Sequence, residues 1–318
     1  MALAAVALAG ATGLALAAPA GAATSHASKP HAVTYRFRTL NNDHDLAFNQ
    51  LLGIDTVGVI AGYFGSGAAG QPNKGYLLVP PLYGQANYSN QNFPGSVQTQ
   101  DTGLNDYGVY VGFWSNTNLG VGLDANFGWY AVDGVYHENN YPTSDPASPA
   151  VDQLLGVNDE DVAVGFYTDG QGNNHGYEYN IARHTFSTVT EAGVTSLTAA
   201  AINNHGDVAG AYVSPTTGNT DGFLKYSNGT FVDLSPTGAC TTMAFGVNDH
   251  DEVVGVYTPC NSTALDGFTW TPSGGFTTVN DPNGVGTTTI NGVNNSGDLV
   301  GFYTTDDGNI TNGMLATP

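Results

Sequence analysis

Apolar and polar positions alternate in short runs along this chain, and the runs recur as a phrase. "GVNDEDVAVGFY" (156–167), "AINNHGDVAGAY" (201–212), "GVNDHDEVVGVY" (246–257) and "GVNNSGDLVGFY" (292–303) share one order: an apolar residue, a polar pair, a turn position, alternating aliphatics, a glycine and an aromatic. A period of two predicts strands, and helical periodicity is absent after residue 24. In the copy at 201–212, Ile202 ends one strand, Asn203 and Asn204 enter a turn, and Gly206 takes a position suited to positive φ before Val208 opens the next strand. That slot holds Gly58, Gly108, Gly206 and Gly297 but Asp161 and Asp251 in two copies, and Asp is among the few other residues that tolerate the left-handed region.

Six copies align, with first hairpins at Gly53–Phe64, Gly103–Trp114, Gly156–Tyr167, Ala201–Tyr212, Gly246–Tyr257 and Gly292–Tyr303. Their spacing of 45 to 53 residues is that of one four-stranded unit and is too long for a β-helix coil. A third strand opens on Gly75-Tyr76, Gly128-Trp129, Gly176-Tyr177, Gly222-Phe223, Gly267-Phe268 and Gly313-Met314. "YSNGTF" (226–231) and "TPSGGF" (271–276) carry the signals of a two-residue hairpin into a fourth. The last copy stops at Pro318 without its fourth strand, and "VTYRFRTL" (33–40) resembles "GTFVDL" (229–234). An N-terminal strand that completes the last sheet removes two exposed edges. The expected fold is therefore all-β, a closed six-bladed β-propeller of four-stranded antiparallel blades spanning 33–318.

Residues 1–23 form an apolar Ala/Leu/Val/Gly run ending in small residues, the pattern of a secretory signal, although no Lys or Arg precedes Lys29; residues 24–32 read as a short linker. No later run is long and apolar enough to predict a membrane span. With 27 acidic against 6 scattered basic residues, no basic patch is available to neutralise phosphates, so nucleic acid is excluded as an expected partner. Anionic wall polymers and acidic lipids are repelled by the same charge, whereas neutral glycans, cations and basic proteins are not.

The repeat resembles the extracellular HAF-type repeat family of bacterial secreted proteins, whose units look like G-I-N-N-x-G-x-V-V-G-x-Y followed by H-G-F. The resemblance covers roughly residues 33 to 318, with the first two copies most divergent and only His175 keeping the His before the third-strand Gly. It implies a propeller-like fold and an extracellular location, and carries no functional residues.

Cys240 and Cys260 lie almost symmetrically about the Asn248–Asp251 turn, so they should face each other across the fifth hairpin. In an exported chain that spacing favours a disulfide worth on the order of 3 kcal/mol. The aromatics Phe64, Trp114, Tyr167, Tyr212, Tyr257 and Tyr303 recur once per copy. They are either sugar-stacking platforms or wedges between sheets, and their recurrence in every copy favours the wedge. The acidic turns 158–161, 248–251 and 306–309 admit calcium as the one cofactor to consider, but none completes an EF-hand spacing and solvated turns explain them with less. No H-E-x-x-H or G-x-S-x-G occurs. The expected function is a monomeric binding module for neutral glycan or a secreted protein, with a rim built from Tyr88, Trp114, Tyr136, Asn139 and Tyr141. Two rivals are a polysaccharide hydrolase or lyase using channel-mouth carboxylates and a structural surface protein.

Overall fold

The computed structural model describes residues 33–305 and 308–318. The expected leader (1–23) and linker (24–32) lie outside the described residues, as do Asp306 and Asp307 of the third acidic turn. Among the described residues the fold is all-β, with a short 3₁₀ turn at Gln85–Asn87 and no α-helix. Hence no helix there is long and apolar enough to cross a membrane.

Strand β1 (Arg36–Thr39) precedes the first repeat, which supplies β2 (Asn49–Ile54), β3 (Ile60–Phe64), β4 (Lys74–Leu78) and β5 (Tyr88–Asn90). The second gives β6 (Gln98–Leu104), β7 (Tyr110–Ser115), β8 (Phe127–Val132) and β9 (Val135–Glu138). The third gives β10 (Asp152–Val157), β11 (Val162–Thr168), β12 (Asn174–Asn180) and β13 (Thr185–Val189), and the fourth β14 (Leu197–Ile202), β15 (Val208–Val213), β16 (Thr220–Lys225) and β17 (Phe231–Leu234). The fifth comprises β18 (Ala239–Val247), β19 (Val253–Pro259), β20 (Asp266–Thr271) and β21 (Gly275–Thr278), and the last β22 (Thr288–Val293), β23 (Leu299–Thr305) and β24 (Ile310–Thr317). Within each repeat successive strands pair antiparallel, and β1 pairs with β24 in a register running from Arg36↔Thr317 to Thr39↔Met314. The first strand of each repeat packs against the first strands of its neighbours, β2 against both β6 and β22.

The repeated phrase has a steric cause. Each first strand carries one extra residue, so the register against the second strand slips at Leu51/Gly53, Asp101/Gly103, Leu154/Gly156, Ala199/Ala201, Ala244/Gly246 and Ile290/Gly292. The bulge drives a first-strand carbonyl toward the second-strand glycine. A Cβ at Gly112, Gly165, Gly210, Gly255 or Gly301 would stand only 1.9–2.0 Å from that oxygen. The third-strand aromatic then covers the glycine: Tyr76, Trp129, Tyr177, Phe223 and Phe268 are fully buried, as is Met314 in the last sheet. Glycine and aromatic thus form one packing unit. First-strand glycines let neighbouring sheets meet, a Cβ on Gly53 lying 3.0 Å from the Gly103 Cα and one on Gly292 lying 3.4 Å from the Gly53 Cα.

The 1–2 turns have three residues between paired ends, with Asn203 N–H bonded to the Asp207 carbonyl and Gly206 at φ +79°. Asp161 and Asp251 take the same left-handed slot at φ +55° and +57°. The two-residue hairpins expected between third and fourth strands are also three-residue loops. Tyr226 N–H bonds the Thr230 carbonyl with Gly229 at φ +90°, and Thr271 pairs with Gly275. A type I turn closed by a left-handed residue uses the same Asn-Gly and Gly-Gly chemistry, which is why the dipeptide located the turn but not its length.

Cys240 and Cys260 are disulfide-bonded, their Cα atoms 4.7 Å apart across β18 and β19. This bridge indicates an oxidising compartment.

Candidate binding site

The two ends of the sheets differ in what they can offer a ligand. At the end bearing the 1–2 turns, one asparagine in each of five turns works in two directions. Asn203 Oδ1 accepts the N–H groups of His205 and Asp207, closing its own turn, while its Nδ2 donates to the Asn248 carbonyl of the next sheet. The same donor link runs from Asn105 to Asn158, Asn158 to Asn203, Asn248 to Asn294, and Asn294 to Asp55. A second set of bonds joins the following residue to the next turn at five joints, including Asp106 N–H to Asp159 and Asn204 N–H to Asp249. These turns from all six repeats line a polar recess of ≈ 100 Å³. The carboxylates of Asp106, Asp159 and Asp249 are occupied as acceptors in this belt, which leaves them poorly suited to acid–base work.

Asp55 stands where the other copies have Asn, and an ionised carboxylate has no N–H to pass to its neighbour. Burial raises its pKa, opposed by the Val59 N–H bond and reinforced by nearby Asp106. Replacing Asp55 by Asn supplies the missing donor, and urea unfolding at pH 7 is expected to show a gain of about 1 kcal/mol. An unchanged or lowered midpoint would mean that the belt contributes nothing at that joint.

At the opposite end lie the 2–3 loops and the connections between repeats. Here the recurrent aromatics pack against inter-repeat residues: Trp114 stacks on Phe93 at 4.7 Å, Tyr167 on Tyr141 at 4.6 Å, and Phe64 on His44 at 5.6 Å. Of the five expected rim residues, Trp114 and Tyr136 share one cluster through Phe93. Tyr136 lies within β9 and donates to Gln91 Oε1 at 2.8 Å, and Tyr88 opens β5 with its ring edge-on to Tyr76 at 4.9 Å. Both are half-buried residues of outermost strands, whereas the sequence pattern assigned them to loops. Tyr141 also touches Tyr177 and Phe186, and Asn139 is buried, its backbone N–H bonded to the Gly128 carbonyl at 2.8 Å. Tyr88, Trp114 with Tyr136, and Tyr141 thus pack on three separate apolar clusters.

A groove that the sequence reading passed over lies between the third and fourth sheets. Tyr167, Asn174, His175, Thr188, Thr190, Glu191 and Val194 are among the residues lining a cavity of ≈ 70 Å³. His175 Nε2 meets Asp169 Oδ2 at 2.8 Å and the imidazole stacks on Tyr167 at 4.9 Å. Burial works to raise the Asp169 pKa, but bonds from His175, Asn173 and Gln171 outweigh it and hold the carboxylate well below its ordinary range. On the far side Lys225 Nζ lies 3.6 Å from Glu191. The groove thus combines fixed charge, hydroxyls and an aromatic edge. Its only sequence signal was His175, alone among the copies in preceding the third-strand glycine.

Two buried carboxyls were equally invisible. Asp101 is fully buried without a hydrogen-bond partner for either oxygen, in the inter-sheet slot filled by Leu51, Leu154 and Ile290 in other repeats. Burial drives its pKa far above the carboxylate range. Asp152 is pushed up to about 7 by burial, against the opposing bonds from the Tyr177 hydroxyl and the Tyr141 N–H.

No protein-family model and no curated protein matches the chain. Solved structures do. A putative TolB from Agrobacterium tumefaciens is similar at 14% identity and a TM-score of 0.54, over 86% of this chain and 91% of that one. The SapL1 lectin in complex with alpha methyl fucoside is similar at 7% identity and 0.51, over 82% and 89%. A mutant of AofleA from Arthrobotrys oligospora is similar at 10% identity and 0.51, over 89% and 86%. At such identities the likeness concerns fold, and it places the chain among all-β folds of propeller type. Fold of this kind hosts many activities, so function is argued from the site.

Proposed function

We propose that the chain is an exported, closed six-bladed β-propeller acting as a monomeric binding module for a neutral extracellular ligand, glycan first and another secreted protein second. Closure is supported by the pairing of β1 with β24, by β2 packing on both β6 and β22, and by the Asn294 link to Asp55. Export is supported by the apolar N-terminal run and the disulfide, and the HAF-like phrase fits the same location.

The observation that carries binding is the groove at Tyr167, His175 and Glu191. A sugar offers C–H faces and paired hydroxyls. A half-exposed imidazole held by Asp169 can donate or accept there, Glu191 accepts, and Thr188 and Thr190 do either. The net charge of −21 discourages anionic polymers and leaves neutral ones. Immobilised neutral polysaccharides are expected to retain the protein, with His175→Ala weakening retention at least tenfold at unchanged melting temperature. Retention equal in the variant, or absent from every neutral polysaccharide while a carboxylate-dependent cleavage appears, would overturn the reading.

A further inference from the structure

We propose a divalent transition-metal site, of zinc-class chemistry, at the joint between the fourth and fifth sheets, formed by His205, Asp207 and Asp251. One ligand atom from each lies within 4.8 Å of the others, and His205 Nδ1 is 3.9 Å from Asp207 Oδ2. In a tetrahedral zinc site with bonds of about 2.1 Å the ligand atoms stand about 3.4 Å apart, so a small side-chain rotation closes the set. Among the described residues this is the trio that meets that criterion.

The chain makes this joint different from its equivalents. His205 and Asp207 come from one 1–2 turn, and Asp251 comes from the left-handed slot of the next. Where Asp207 stands, the first three repeats have Val59, Val109 and Val162; where Asp251 stands, Gly206 and Gly297 flank it in the preceding and following repeats. Among the described residues only this joint brings an imidazole and two carboxylates together. A site that departs from the repeat is what a specific ligand requires, whereas the belt of asparagines beside it recurs for structural reasons.

The surroundings hold the ligands in place. Asp207 is buried, its Oδ1 accepting from Ser227 N–H at 2.8 Å and its Oδ2 from Asn203 Nδ2 at 3.1 Å, which orients the carboxylate and leaves lone pairs over. Tyr226 lies against the same pair, its hydroxyl 3.5 Å from Asp251 Oδ2. Among the described residues no Lys or Arg pairs with either, and the ion partner of Asp207 is His205. The imidazole sets the class of ion: nitrogen with two carboxylate oxygens suits zinc, cobalt or nickel, while calcium prefers six or more oxygens. A half-exposed site with three protein ligands keeps a position for water.

Zinc titration of the metal-free protein by calorimetry tests the site, with cobalt substitution followed by its visible spectrum. Asp251→Gly restores the residue found in four other repeats and is expected to fold; His205→Ala changes an exposed turn residue. Wild-type protein should bind one zinc at micromolar affinity, gain melting temperature, and give a tetrahedral cobalt spectrum. Both variants should lose at least tenfold in affinity and lose the cobalt bands, with calcium competing poorly. Zinc binding unchanged in both variants, no binding up to millimolar zinc, or calcium binding as tightly as zinc would each overturn the proposal.

Discussion

Asp101→Leu is expected to raise the melting temperature by about 5 °C or more at pH 8 and by much less at pH 4. The wild-type carboxyl is sealed between the first and second sheets, a Cβ on Gly75 lying 2.3 Å from its Oδ1, and no donor reaches either oxygen. Leu154 and Ile290 occupy the same register position, so an aliphatic side chain has precedent there. Removing an uncompensated buried carboxyl should gain about 2 kcal/mol or more at alkaline pH, and 1 kcal/mol corresponds to roughly 2–4 °C for a domain of this size. The pH sense follows from linkage. A carboxyl whose folded pKa lies above its unfolded value gives stability that is whole below about pH 4 and is lost as pH rises toward the folded value. Asp101, Asp152, Asp55, Asp233, Glu252 and Asp281 are all raised, each chiefly by burial, with Asp152 at about 7. Asp169 and Asp124 are lowered despite burial, by the bonds they accept, and their contribution fades only below about pH 4. Wild-type stability should therefore peak in mild acid and decline through pH 8. Calorimetric melting temperatures from pH 3 to 9 check this, and a wild-type curve rising toward pH 8, or an Asp101→Leu gain equal at both ends, would refute the role given to Asp101.

Gly112→Ala should destabilise by about 4 kcal/mol or prevent folding, whereas Gly108→Ala should lose only about 1 kcal/mol. At Gly112 a Cβ would stand 1.9 Å from the Gln100 carbonyl oxygen and 2.8 Å from Trp129 Cζ2, backbone on one side and a fully buried indole on the other. Neither can retreat without opening the bulge or the inter-sheet core. Gly108 has nothing within 4 Å and bears only its φ of +82°, a conformation that Asp161 and Asp251 adopt in sister repeats. Urea unfolding of the two variants separates steric exclusion from backbone strain. Equal losses would mean that the phrase is set by turn conformation alone.

Much of the architecture is legible in the sequence because its causes are local and repeated. A glycine under an aromatic, an asparagine closing a turn and a positive-φ slot each leave the same mark in several copies. The disulfide was legible for a related reason: two cysteines equidistant from a known turn must lie opposite one another. What the sequence hid was whatever happens once. Asp101 is one acid among 27 and nothing beside it in the chain says that Leu51 and Ile290 share its position until the bulges are aligned. His205 and Asp251 are 46 residues apart and meet only because neighbouring turns stack. Tyr88 and Tyr136 misled because polar, Asn-rich surroundings look like loops, yet an outermost strand presents its polar face to water and needs only a half-buried ring beneath it.

The partnership of residues 36–39 with 314–317 bears on how this chain reaches its native state. A sheet that joins strands so far apart in sequence cannot be finished until β24 has been synthesised, so β1 must wait with one margin bare. Closing that long loop is an entropic cost met late, so the local hairpins can form first and the joint between β1 and β24 sets the moment at which the whole array locks.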